Sequence, residues 1–414
     1  MLAACGSSEP DEVVSTPPSS EQPANPQSTD TTGTPAPTAP AGEPFAVEQI
    51  ASSPRNVTHS GISAWQNQVV PEVLPEPLIG LEQIRSGGPP PDGIPPVDEP
   101  RFLNTRDVDF LADNEPVLAL EIDGDARAYP VQILTWHEIV NDTVAGIPVS
   151  VTYCPLCNSA LAYDRRVTVD GADMIVDFGT SGLLLNSSLV MYDRQTETLW
   201  SHFTGQAVLG ELTGIELDDW VLSTVAWSTW RDANPEGLVL STDTGFDRSY
   251  GRNPYPGYDD VDGVPFLFQG DVDGRYTALT RILGIERNGE AVGIPLIELQ
   301  ASGVLTGAVG ETSFVAWWTA GTSSALDASN VADGYDVGST GVFLARADGT
   351  ELTFVAAADG LFVDDQTGSS WNVLGRAVSG ELEGTRLEAL PHVDTFWFAW
   401  STFHSDTALV TAAG

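Results

Sequence analysis

Val117-Leu-Ala-Leu-Glu-Ile-Asp-Gly-Asp-Ala-Arg-Ala-Tyr-Pro-Val-Gln-Ile-Leu134 reads as an apolar strand, a two-residue turn at Asp123-Gly124 and a returning strand. Asp-Gly between two apolar runs signals a tight hairpin. A second stretch, Ile282-Leu-Gly-Ile-Glu-Arg-Asn-Gly-Glu-Ala-Val-Gly-Ile-Pro-Leu-Ile-Glu-Leu299, repeats the plan with Asn288-Gly289 at the turn. More anchors follow in the same order. Asp193-Arg-Gln-Thr-Glu-Thr-Leu-Trp200 matches Asp364-Asp-Gln-Thr-Gly-Ser-Ser-Trp371, residues 210–214 match 380–384, and Trp227-Ser-Thr-Trp230 matches Trp400-Ser-Thr-Phe403. Repeated anchors at similar spacing point to a diverged tandem duplication whose halves pack about an approximate two-fold axis.

Short apolar or alternating runs recur at 117–122, 148–153, 160–163, 174–178, 188–192, 221–225, 237–241, 341–345 and 351–356, separated by Gly, Asp and Asn. They predict strands. Helices are expected at 132–141, 225–233 and 395–404. The fold class that follows is α+β and β-rich: a mostly antiparallel unit with short helices, used twice, at 107–275 and 276–414. Residues 45–106 form a Pro-rich approach segment expected to pack on this body in extended conformation.

The 414 residues include 58 acidic and 17 basic ones, every basic residue is Arg, and the net charge is −41. Such a surface repels nucleic acid and anionic lipid, so no nucleic-acid partner is expected. Asp-rich runs at 259–263 and 271–274 lack the full spacing of a calcium loop and read as turns.

Leu2-Ala-Ala-Cys5-Gly6 fits a lipobox, in which Cys5 becomes the lipidated amino terminus; residues 1–5 then read as the remnant of an export signal whose start lies upstream. Residues 6–44 are almost wholly Ser, Pro, Thr, Glu, Gly, Ala, Gln and Asp and read as a disordered tether. Together these predict an extracytoplasmic protein held to a bacterial membrane by a lipid at Cys5.

The chemistry is expected at Cys154-Pro-Leu-Cys157, which holds two of the three cysteines. Three readings stay open. The pair is half of a soft-metal site for copper or zinc, with further ligands from His137, His202, Met191 or solvent. Or it is a redox pair exchanging with protein thiols or a small molecule. Or it is an inert disulfide in a non-catalytic binding module, although so short a loop constrains little chain entropy. His137 sits just upstream in Trp136-His137-Glu138, where Glu138 would orient the ring or act as a base. In the second half the register of the cysteines falls in residues 314–321, which contain no thiol, and that of His137 in Gln300-Ala301-Ser302. The site is therefore expected in the first half alone. His202 reads more readily as a core residue, and His392 and His404 as structural.

Tyr153-Cys-Pro-Leu-Cys-Asn-Ser-Ala160, Ser188-Leu-Val-Met-Tyr-Asp-Arg-Gln-Thr196, Tyr250-Gly-Arg-Asn-Pro-Tyr255, Thr367-Gly-Ser-Ser-Trp-Asn372 and Phe396-Trp-Phe-Ala-Trp400 resemble the DUF3179 family of bacterial proteins, over 107–410. That resemblance implies no activity. It implies a site at Cys154, Cys157 and His137, with Met191 also matching. His202 stands where the family has Gln.

Overall fold

The computed structural model describes residues 59–169 and 171–412. Cys5, the tether at 6–44 and the start of the approach segment lie outside them. The described chain is β-rich, with short helices between mostly antiparallel strands.

The first hairpin forms where its turn residues predict it. Pro116–Ile122 pairs with Asp125–Pro130, and Asp123 and Gly124 take φ of 43° and 87°, the backbone that a type I′ turn demands. Arg281–Arg287 pairs with Glu290–Pro295 in the same way, across Asn288 and Gly289 at 53° and 79°. Each returning strand then gives way to a seven-residue helix, Val131–His137 or Leu296–Ser302, with a proline at the N-cap. Proline explains the switch: it lacks the N–H that a ladder needs and its ring presets a helix-compatible φ. The second of these helices was not among those expected from the sequence.

Three antiparallel strands come next in each half. They are Ile139–Val144, Ile147–Cys154 and Ser159–Asp164 in the first, and Val304–Val309, Thr312–Thr319 and Ser339–Phe343 in the second. A meander follows: Phe178–Leu185, Ser188–Asp193, Leu199–Ser201 and Ala207–Leu209, against Phe354–Ala356, Phe362–Asp364, Ser370–Trp371 and Ala377–Ser379. Each meander closes a buried turn on one carboxylate. The Trp200 indole donates to Asp193 at 3.0 Å and that of Trp371 to Asp364 at 2.9 Å, while Thr196 and Thr367 each give that carboxylate an amide and a hydroxyl. Burying a charge is tolerable only when its lone pairs are filled like this.

Ser223–Ala226 and Val393–Phe396 each return to their first hairpin and run into a helix, Trp227–Ala233 or Trp397–Phe403. One apolar cluster joins Cys154, Cys157, Met191 and Trp200 to Phe396, Trp397 and Trp400. Another joins Val117 and Trp230 to Trp317 and Trp371. Both therefore draw on residues from either side of position 275. The described part of the approach segment includes the helix Gly61–Asn67 and wraps the body through backbone bonds, such as Val97 N–H to Ile139 O at 2.8 Å and Asp92 N–H to Thr180 O at 2.8 Å. No described helix is long and apolar enough to cross a membrane.

Candidate active site

Ile147–Cys154 turns through Pro155, Leu156, Cys157 and Asn158 into Ser159–Asp164, with Cys154 opposite Ser159. Asn158 takes φ of 49°, which its short polar side chain tolerates better than most. The cysteines therefore lie on a hairpin turn and not at the start of a helix. Neither cysteine therefore has a helix N-terminus of its own to favour the thiolate.

Both thiols are free, and Cys154 and Cys157 are 1% and 0% exposed. Around Cys157 Sγ lie the Ser159 hydroxyl at 2.9 Å and the Ser188 hydroxyl at 3.5 Å. The His202 imidazole is near enough to favour ionisation of this sulfur, and its Nδ1 is 3.5 Å from the Ser159 hydroxyl. Its Nε2 is buried with no hydrogen-bond partner among the described residues. His202 follows the strand Leu199–Ser201 and is held by its backbone: its N–H donates to Leu189 O at 3.1 Å, and its carbonyl accepts from Tyr163 at 2.7 Å.

These contacts split the two thiols. Burial alone pushes both up. For Cys157, hydrogen bonds from the Cys154 thiol, His202 and Ser159 outweigh burial and hold it well below the usual thiol range. Cys154 is pushed well above that range by burial and by its neighbour's negative charge. Of the two, Cys157 is the readier to ionise.

Glu138 stands directly after the helix Val131–His137 with φ of 59° and ψ of −32°. The matching helix of the second half ends on Gly303, at φ 73°. A glutamate where glycine is the relaxed choice stores backbone strain, which is most often retained for function. Its carboxyl makes no hydrogen bond among the described residues, and burial, with the nearby Cys157 charge, pushes it up to about 8. It is therefore a neutral acid beside the thiols at neutral pH.

His137 is turned elsewhere. Its Nδ1 lies 2.7 Å from Pro95 O and its Nε2 2.5 Å from the Tyr250 hydroxyl. A carbonyl only accepts, so Nδ1 carries the proton. Burial holds the ring down to about 4, so it is neutral and Nε2 accepts from Tyr250. His137 ties the approach segment to the body, and both its nitrogens are used in doing so. Met191 shares the apolar cluster of the two thiols. Among the described residues no group of three or more His, Cys, Asp or Glu is arranged to hold a metal ion. The ligand set expected from Cys154, Cys157, His137 and Met191 is thus not gathered around one point. His404 packs on Trp400 at 4.1 Å between ring centroids, and His392 bonds the Leu390 carbonyl.

Two further pieces cover the cysteine turn. Residues 241–280 form no helix or strand, and from this strap Tyr258 donates to Leu156 O at 2.8 Å while Phe266 N–H donates to the Tyr258 hydroxyl at 3.1 Å. From the second half, the Thr395 hydroxyl and Phe396 N–H donate to the Cys157 carbonyl at 2.8 and 3.1 Å. The sequence alone gives no weight to Ser159, Ser188 or Thr395: the turn itself sets Ser159 against the Cys157 sulfur, while tertiary pairing brings Ser188 to that sulfur and Thr395 to the Cys157 carbonyl.

The family model described as "Protein of unknown function (DUF3179)" matches residues 91–407. No curated protein matches the chain, and no solved structure does. A match that runs from the approach segment through both hairpin units, cysteine turn included, places the chain in the DUF3179 family.

Proposed function

We propose that this chain is a thiol–disulfide redox protein that uses Cys157 as the attacking thiolate and Cys154 as the thiol that resolves the exchange. The observation that carries this reading is the polar cradle on one sulfur of a buried pair, with the Ser159 hydroxyl at 2.9 Å and the Ser188 hydroxyl at 3.5 Å. In the exchange, the Cys157 thiolate attacks one sulfur of a partner disulfide. A new S–S bond forms, the partner's bond breaks, and its second sulfur leaves as a thiolate. Cys154 gives up its proton and attacks Cys157 Sγ, which releases the first partner sulfur. The Cys154–Cys157 disulfide remains, two electrons have passed to the partner, and the partner's two sulfurs become thiols. Glu138, a neutral acid beside the pair, supplies a proton to a leaving thiolate and, once ionised, accepts the one from Cys154.

The two free, buried sulfurs on one turn favour a second reading, a soft-metal site for Cu(I) or Zn²⁺ on Cys154 and Cys157, completed by a ligand from outside the chain. One experiment separates the two. The protein is purified from an oxidising, metal-replete compartment, its metal content is measured, and its thiols are titrated against glutathione. A reversible two-electron couple without stoichiometric metal supports the redox reading. One equivalent of copper or zinc, lost in Cys154→Ser, overturns it in favour of the metal site.

Export and lipid anchoring at Cys5 fit this reading, since exchange partners with disulfides are found in oxidising compartments. We also read the two halves as a diverged tandem duplication. The support is the shared succession of hairpin, helix, three strands, meander, strand and helix. The parallel contacts add to it: Leu238–Leu240 lies beside Asp125–Pro130, and Ala408–Leu409 beside Glu290–Pro295. On this reading only the first copy carries the thiols.

A further inference from the structure

The cysteine turn is gripped by a buried polar chain that begins in the second half. Arg281 opens the second hairpin, and its side chain is 11% exposed. Its guanidinium lies 3.1 Å from Asp259, 3.5 Å from Asp394 and 2.9 Å from the Ser324 hydroxyl. Asp394 accepts from Asn158 Nδ2 at 3.0 Å. Asn158 Oδ1 in turn accepts from the Tyr153 hydroxyl at 3.1 Å. Asn158 is the left-handed residue that closes the turn, and Tyr153 precedes Cys154. The chain from Arg281 through Asp394 to Asn158 therefore ends on the residue that closes the turn carrying the two thiols. A cavity of about 20 Å³ beside Tyr153, Asn158, Arg281, Ser324 and Asp394 has room for roughly one water molecule.

A charged cluster of this kind is expensive to bury. Taking an arginine and two carboxylates out of water is repaid only by good geometry, and an apolar replacement is often as stable. Two of its atoms, Arg281 Nε and Asp259 Oδ1, remain without a partner among the described residues. Stability alone accounts poorly for such a network.

Resting on the redox reading, we propose that Arg281, acting through Asp394 and Asn158, is a positioning residue that sets the reduction potential of the Cys154–Cys157 pair. The network grips the turn while both cysteines are free thiols, so it favours the dithiol. Loosening it lets the turn relax toward the geometry of a disulfide, and the pair becomes harder to reduce.

The test is a glutathione redox titration of the full chain as wild type, Asp394→Asn, Arg281→Lys and Asn158→Gly. Glycine keeps the left-handed turn but removes both side-chain links, so it guards against a fold that simply fails. The expected result is a shift of at least tenfold toward the disulfide in Asp394→Asn and Asn158→Gly, or about 30 mV. Their double variant should shift no further, because both cut one chain. Lower thermal stability with an unchanged exchange equilibrium would overturn the proposal and leave the redox reading intact. A wild type with no reversible couple would reject the redox reading itself. In that case the proposal falls with it, because there is no potential left to set.

Discussion

The Ser159 hydroxyl lies 2.9 Å from the Cys157 sulfur, within hydrogen-bond distance of it. A hydrogen bond to a charged group contributes about 1.5–3 kcal/mol. Ser159→Ala should therefore raise the pH at which Cys157 ionises by about one unit or more. The pH profile of alkylation reads this directly. A profile that does not move removes Ser159 from the site.

His202→Asn takes the imidazole from the same sulfur while leaving a polar side chain. Cys157 then loses one of the contacts that hold it below the usual thiol range. Alkylation of Cys157 at neutral pH should fall at least tenfold, as expected if one pKa unit or more is lost. His137→Asn should leave that rate near wild type, since both ring nitrogens of His137 are bonded elsewhere. Equal effects of the two variants would contradict the assignment.

Glu138 makes a prediction about stability. Its carboxyl is raised from 4.5 to about 8 on folding, so the folded chain holds the proton more tightly than the unfolded one. The stability contributed by this protonation is fully present below pH 4.5 and is lost as pH rises through 8. By pH 7 the loss is on the order of 3 kcal/mol. Glu138→Gln cannot ionise. Denaturant stability of the variant minus that of wild type should therefore grow steadily between pH 5 and pH 8, and a flat difference would show that Glu138 is ionised in the folded protein.

The fold was legible wherever local chemistry decides it. Asp123-Gly124 and Asn288-Gly289 announce their hairpins because few other residue pairs take positive φ twice in succession. The helices Trp227–Ala233 and Trp397–Phe403 lie where the sequence places them. Leu296–Ser302 was missed because its first residues continue an apolar strand, and only Pro295 marks the change. The site was half legible. Cys154 and Cys157 are named by their rarity, and Glu138 by its neighbours. Trp200 and Phe203 make the surroundings of His202 look like plain core in the sequence. Antiparallel pairing of Ser188–Asp193 with Leu199–Ser201 carries it to a sulfur 45 positions earlier in the chain. His137 drew attention for standing beside Glu138, yet the end of a short helix turns the two side chains apart.

The strap at 241–280 bears on access. With the thiols 1% and 0% exposed, a reagent reaches them only when the cover opens. Tyr258→Phe removes the bonds to Leu156 O and Phe266 N–H without changing the ring. Losing two bonds of about 1 kcal/mol each should speed alkylation of the native protein by roughly tenfold or more. Unchanged rates would place the entrance elsewhere.

The redox titration of Cys154 and Cys157 in the full-length protein tests the central claim most directly. The account predicts a reversible two-electron transition against glutathione, with one intramolecular disulfide detected by mass after alkylation and none in Cys157→Ser. A pair that no thiol reductant or disulfide can open or close, or one that releases copper or zinc when denatured, would contradict it.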